Sequence, residues 1–188
     1  MSGMRLNRNV AVEFPNWAQI KKRRRAHVVR VAAVIDAWAD AMAVSDRERA
    51  RWQRAVALHD ALKDAPDDLL TRLAPDSWGV PALRHGPAAA ARAAQDGESD
   101  RGILDAVHFH SVGYRGWDSV GHVLFLADYL EPGRPYHTPQ HNDLLRRVPG
   151  DISSVLLEVA AERIAGAVLS GRPLIEETVE FWNGLVRE

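Results

Sequence analysis

The chain contains no cysteine. That absence removes disulfides, thiolate metal sites and cysteine nucleophiles together, and it leaves His, Asp and Glu as the strong metal ligands, so any metal must be held by nitrogen and oxygen. An excess of charge is also missing. Lys and Arg total 24 against 25 Asp and Glu, a formal net charge of -1, which gives no general attraction to nucleic acid or to an anionic lipid surface. Neither is expected as a partner. No apolar run approaches the ~20 residues needed to cross a bilayer, and Met1 to Val12 lacks the apolar centre of a secretory signal. A cytoplasmic location is therefore expected. The strict alternation of a half-buried strand is not found either.

What is present is a helical pattern over 188 residues, a length that suits one buried core better than two. The expected organisation is an N-terminal extension over 1–15 followed by one all-α domain over 16–188, a bundle with its site between core helices. Ala, Leu, Arg and Val are abundant, and apolar residues recur at three and four. Pro15 and Asn16 open a helix predicted to run to Met42, with Ile20, His27, Val31, Ile35, Trp38 and Met42 along one stripe. Ser45 and Glu48 form a capping box for a second helix, carrying Trp52, Val56, His59 and Leu62 to about Asp64, where Pro66 stops it. A short helix over Asp67–Leu73 and an Ala-rich one from Gly86-Pro87 to Gly97 follow. Ser99 is expected to cap the next, which presents Ile103, Val107 and His110. Beyond the loop Gly113–Trp117, Val120, Leu124 and Asp128 line a further face, closed by Pro132-Gly133. Helices near Asp143, over Asp151–Ser170 and over Leu174–Val186 complete the pattern.

The informative residues are polar ones on apolar stripes. A ring or carboxylate facing the core must find a hydrogen bond or a cation to offset its lost hydration. His27, His59 and His110 are so placed, whereas His108 lies about 200° around the helix from His110, at ~100° per residue, and is expected to face solvent. His122, His137 and His141 read as surface or loop residues. His59-Asp60 is weak as a dipeptide, since such pairs arise by chance on helix surfaces. An inward Asp128 changes its weight, because a buried carboxylate needs an arginine or a cation. One metal shared with His27, His59 and Asp60 would satisfy all four groups. The competing reading is that these histidines are ordinary hydrogen-bonded core residues.

A His, a following His-Asp pair and a distant Asp on successive helices, here His27, His59-Asp60 and Asp128, resemble the signature of HD-domain phosphohydrolases. The stretches Ala57-Leu58-His59-Asp60-Ala61-Leu62-Lys63-Asp64, His85-Gly86-Pro87, Phe109-His110-Ser111 and Leu126-Ala127-Asp128-Tyr129-Leu130-Glu131-Pro132-Gly133-Arg134 are similar to the branch that hydrolyses diadenosine tetraphosphate symmetrically. This likeness runs from about His27 to the C-terminus. It implies two metal ions bridged by Asp60, with His27, His59 and Asp128 on one and His85 and His110 on the other. The chain departs from the branch at Phe109-His110-Ser111, followed by Gly113-Tyr114-Arg115, where Tyr-His-Thr and Gly-Arg-Pro are usual. Arg115 is read as standing in for the shifted arginine. Residues 135–142 also lack the usual Phe-Pro-Gly.

Two cations would activate a water and clamp the attacking and leaving oxygens of a phosphoryl group. Imidazole and carboxylate ligands without thiolate favour iron or manganese over structural zinc. Lys63, Arg115, Glu131 and Arg134 are the expected substrate contacts, and Asp60, Lys63 and Asp64 the expected catalytic group. Asp64 and Glu131, one turn from Asp60 and Asp128, are alternatively read as orienting the ligands or assisting a proton. Lys21 to Arg25 form a basic cluster that either steers polyanions or is solvated. Trp78, Trp117, Tyr114 and Tyr129 are read as core or as stacking faces for a base. The function expected is metal-dependent hydrolysis of diadenosine tetraphosphate to two ADP. The alternatives are action on another nucleotide, or a non-catalytic module that binds nucleotide or metal.

Overall fold

The computed structural model of the chain describes Leu6 and residues 10–187. Most of the expected extension over 1–15, and residue 188, lie outside the described residues. Within them the fold is all-α, as the apolar periodicity dictates: α1 Lys22–Ala41, α2 Asp46–His59, α3 Asp67–Leu73, a 3-10 turn at Pro81–Leu83, α4 His85–Gln95, α5 Arg101–Phe109, α6 Ser119–Leu130, α7 Pro139–Arg147, α8 Ile152–Leu169 and α9 Glu176–Leu185.

The core lies between α1, α2, α5 and α6. Val31, Ile35 and Trp38 of α1 meet Trp52 and Val56 of α2, Ile103 and Val107 of α5, and Val120 and Leu124 of α6. These side chains are removed almost completely from water, at roughly 25 cal/mol per Å² of apolar surface, so this stripe-to-stripe burial dominates the stabilisation. Trp38 is long enough to cross the core, and its indole N–H donates to the carbonyl of Leu145 at 2.9 Å. That bond ties α7 to α1. The α4 helix covers α5, and α8 with α9 leans on α6.

Side-chain caps set most helix starts. Ser45 accepts from the Glu48 amide at 3.2 Å, Asp118 caps α6 and Asp151 caps α8, each satisfying an otherwise orphaned N–H. The α5 cap is Asp100, accepting from Ile103 N at 3.2 Å, rather than Ser99. Three further expectations are corrected. The first helix begins at Lys22, not at Pro15, because the segment before it is spent on another partner: Gln19 N donates to Ala61 O at 2.7 Å and Asp64 N to Gln19 O at 3.2 Å. The second helix ends at His59, not near Asp64, and the chain then turns through i→i+3 bonds, Leu58 O accepting from Ala61 N and Asp60 O from Lys63 N. Finally, the Glu48 carboxylate does not close its capping box. It binds Arg51 and the Trp52 indole instead.

Candidate metal centre

Helix faces and helix ends of α1, α2, α4, α5 and α6 each contribute one or two polar groups to a single buried cluster. His27 lies on the buried stripe of α1, His59 is the last residue of α2, and Asp60 is the first residue of the turn beyond it. His85 opens α4, His110 follows α5, and Asp128 sits on the buried face of α6. All six are buried. The early end of α2 matters here, because it lets the Asp60 carboxylate turn toward the centre instead of following the helix surface.

The imidazoles are oriented by what their outer nitrogens touch. Nδ1 of His59 donates to Val56 O at 2.8 Å, Nδ1 of His110 to Val107 O at 2.8 Å, and Nδ1 of His85 to Ala82 O at 3.1 Å. A carbonyl can only accept, so each contact fixes the tautomer and leaves Nε2 with its lone pair facing inward. His27 is held by a carboxylate: Nδ1 donates to Glu131 at 2.9 Å, and Nε2 lies 2.9 Å from Asp128.

Asp60 stands between two groups. Its Oδ2 lies 3.7 Å from His27 Nε2 and 3.6 Å from His59 Nε2, and its Oδ1 lies 3.3 Å from His85 Nε2 and 3.8 Å from His110 Nε2. His27, His59 and Asp60 thus offer one compact set of donor atoms, and Asp60, His85 and His110 a second. Asp128 Oδ1 joins the first side, 3.8 Å from His59 Nε2.

The donor set fits divalent cations. Among the described residues His59 Nε2 is buried and has no hydrogen-bond partner, a costly condition for a polar atom unless a ligand meets it. The Nε2 atoms of His85 and His110 face each other at 3.1 Å, an approach of two lone pairs that a shared cation side would relieve. Electrostatics agree. Burial lowers the pKa of His59, and burial together with His85 and His59 holds His110 well below the ordinary value, keeping both rings neutral and able to ligate. For Asp60, burial acts upward, but His59, His85 and His110 hold its carboxyl well below the usual range. Asp128 follows the same pattern under Arg134 and His27.

Lys63 and Arg134 reach this cluster. Lys63 Nζ lies 3.2 Å from His85 Nε2, and the Arg134 guanidinium binds both the side chain and, at 2.8 Å, the backbone oxygen of Asp128. Three expected residues sit elsewhere. Glu131 is only 1% exposed and is enclosed behind His27 by Arg30 and the Gly133 amide at 2.6 Å each, so it faces His27 and does not line the cavity. Asp64 is exposed and accepts from Lys21 N at 2.8 Å, which holds the start of α1. Arg115 is exposed and stands over Gly184 of α9, because Gly113, at φ 91°, turns its loop that way. Two histidine expectations are also corrected. His108 is partly buried, edge-on to Trp78 with ring centroids 5.6 Å apart, and His141 is buried, 3.1 Å from Glu162.

A cavity of about 620 Å³ opens from the cluster. Arg24, Lys63 and Arg134 line it beside the cluster, and Tyr129, Tyr136 and Leu174 are among its other lining residues. Arg24 belongs to the basic cluster that the sequence leaves as either steering polyanions or solvated, and its Nη1 donates to Asp60 at 2.8 Å. Arg163 was missed altogether, although it continues the stripe of Val155, Leu156, Val159 and Ala160 on α8. The same test that singled out inward histidines would have found it. Of the four aromatic residues weighed as stacking faces, only Tyr129 lines this cavity.

The HD domain family profile matches residues 24–133, more than half of the chain and the segment that carries all six clustered residues. The chain belongs to the HD-domain family. Among the relatives of this HD-domain chain are proteins named symmetrical bis(5'-nucleosyl)-tetraphosphatase. The one from Bacillus subtilis is 27% identical over 107 residues, covering 56% of each chain, and the one from Staphylococcus aureus is 24% identical over 182 residues, covering 88% of each. The match spans 56% of the length of the Bacillus subtilis relative and, likewise, of the one from Halalkalibacterium halodurans. A solved structure from Clostridium acetobutylicum, described as a predicted HD superfamily hydrolase involved in NAD metabolism, superposes with a TM-score of 0.77 at 22% identity, over 89% of this chain and 91% of that one. At that identity the likeness establishes the fold. Among the described residues, no helix is long and apolar enough to cross a membrane.

Proposed function

We propose that this HD-domain chain hydrolyses diadenosine tetraphosphate symmetrically, giving two ADP. The observation that carries the reading is the convergence of His27, His59, Asp60, His85, His110 and Asp128 in one buried cluster, four of which line a cavity that Arg24, Lys63 and Arg134 also line. The names of the relatives supply the substrate.

His27, His59, Asp60 and Asp128 would hold one divalent ion, and Asp60, His85 and His110 a second, with iron or manganese the best match to imidazole and carboxylate donors. Such ions, when bound, lower the pKa of water and offset negative charge on a phosphoryl group. The chain's own residues do the rest. Backbone carbonyls and Glu131 keep four imidazoles aimed inward, which avoids reorganisation during reaction. Lys63 and Arg134 place cationic donors where phosphate oxygens gather charge, and Arg24 adds a third. Burial lowers the pKa of Lys63, with Arg24 adding to the effect, so its ammonium gains from a phosphate neighbour. In the overall reaction the oxygen of one water adds to a phosphorus, the bond from that phosphorus to the central bridging oxygen breaks, and each half leaves as ADP.

A second reading, cleavage of another nucleotide by the same centre, is favoured by the description of the structural neighbour. One experiment separates the readings. The purified protein, supplied with manganese or iron, is offered a nucleotide panel and its products are resolved by chromatography. ADP as the sole product from diadenosine tetraphosphate, at a kcat/KM above those for mononucleotides, supports the proposal; preferred turnover of a different nucleotide, or AMP and ATP as products, overturns it.

A further inference from the structure

Arg163 differs from the other arginines of the cavity. Arg24 and Arg134 are paired with Asp60 and Asp128, whereas among the described residues the one hydrogen bond of the Arg163 side chain is from Nη2 to the carbonyl of Ser111, at 2.8 Å. Its guanidinium carbon packs 4.4 Å from the centroid of Phe125 and 5.6 Å from that of Tyr129. The adjacent carboxylate of Glu162 does not compensate it, being engaged by Tyr129 Oη and His141. The remaining N–H groups are left for the cavity that this residue lines.

A half-buried cation with no ion-paired carboxylate among the described residues is costly to keep unless a ligand supplies the anion. The position of this one is informative. Ser111 directly follows His110, and Tyr129 directly follows Asp128, so contacts to both set the guanidinium one residue beyond the cluster on two separate elements. A planar fork held on aromatic faces retains its in-plane donors, the arrangement suited to two oxygens of a phosphate. Arg172 is exposed and also lines the cavity.

We propose that Arg163 anchors a second anion subsite, which takes a phosphoryl group of the substrate beyond the one held at the His/Asp cluster. The ligand class is thus an oligophosphate chain of at least two phosphoryl groups, with its nucleoside directed toward Tyr136 and the α8–α9 turn. This rests on the nucleotide reading above and narrows it to substrates extended across both subsites.

The test uses the metal-loaded protein and the variants Arg163→Met, which keeps the stem against Phe125, and Arg163→Lys, which keeps the charge. Calorimetric titration with ADP and with AMP compares two phosphoryl groups with one. Wild type is expected to bind ADP more tightly than AMP. Arg163→Met should weaken ADP by about tenfold or more, the size of one charge-assisted contact, while leaving AMP within about twofold, and Arg163→Lys should recover part of the difference. For diadenosine tetraphosphate, Arg163→Met should raise KM with kcat little changed. If Arg163→Met does not fold, an ADP-to-AMP ratio in Arg163→Lys that falls below that of wild type, because the charge stays but the fork is lost, decides the matter. An unchanged ADP-to-AMP ratio in a folded variant overturns the subsite, even if diadenosine tetraphosphate is hydrolysed. An Arg163-dependent ADP preference sustains it, even if another nucleotide proves to be the substrate.

Discussion

Nδ1 of His27 donates to the carboxylate of Glu131 at 2.9 Å, and Nε2 of the same ring lies 2.9 Å from Asp128. Glu131 is therefore the piece that decides which way His27 points. Three further donors, Arg30 Nε, Arg30 Nη2 and Gly133 N, hold that carboxylate in place. Burial opposes its ionisation, but His27 and Arg30 bring its pKa down to about 2.

Replacing Glu131 by Gln or Ala is expected to weaken metal binding about 10- to 100-fold, as loss of a partner behind a ligating histidine does. Alanine should additionally cost about 1–3 kcal/mol, since Arg30 and the Gly133 amide lose their acceptor. Metal content after dialysis and thermal melting read the two effects separately. Wild-type loading in Glu131→Ala would remove Glu131 from any orienting role.

Chelation is expected to destabilise the fold as well as to stop turnover. A cation that binds the folded cluster and not the unfolded chain stabilises the former by mass action, and without it His59 Nε2 is buried with no partner. Melting before and after treatment with EDTA, and again after manganese is restored, should show a fall of several degrees and its reversal. An identical melting temperature in all three states would contradict the metal assignment.

Gly86 lets α4 approach α5 beside the site. A Cβ there would come within 2.9 Å of His108 O, 3.0 Å of Val107 O and 3.1 Å of His110 Cε1, and backbone carbonyls yield little. Gly86→Ala should cost roughly 1–3 kcal/mol by overpacking. It should also pull His85 from His110, lowering metal stoichiometry by up to half. A variant that melts and loads like wild type would show that this contact relaxes freely.

Acid sensitivity should trace to a site away from the cluster. Arg51 joins α2 to the next two core helices through their caps, Asp100 and Asp118, and also binds Glu48 of its own helix. For Glu48, burial acts upward, but hydrogen bonds from Ser119 and Arg51 bring its pKa below the ordinary value, and the Arg51 hydrogen bond lowers that of Asp100. A carboxylate depressed in the folded state adds stability above its unfolded pKa and loses it as pH falls through the folded one, here below about pH 5. Arg51→Met should cost about 1–2 kcal/mol near neutrality and flatten the decline of melting temperature toward pH 3. Equal slopes in wild type and variant would refute the link.

Local pattern determined much of this. The period of three and four required helices, and the apolar stripes of the sequence already held His27, His59, His110 and Asp128, because a polar group on an apolar stripe is visible without knowing what faces it. The resemblance to the HD family added His85, which no stripe marks, since it stands at the very start of α4. What the sequence could not decide was the direction of groups whose partners lie far along the chain. Glu131 and Asp64 look alike, each one turn beyond an aspartate, yet Glu131 turns inward because Arg30 and His27 converge on it, while Asp64 turns to the Lys21 amide. Arg115 is carried to α9 and Arg163 into the cavity by the packing of α8 and α9 against α6. Periodicity fixes which face of a helix is buried, but only the meeting of helices fixes which polar atoms share that burial.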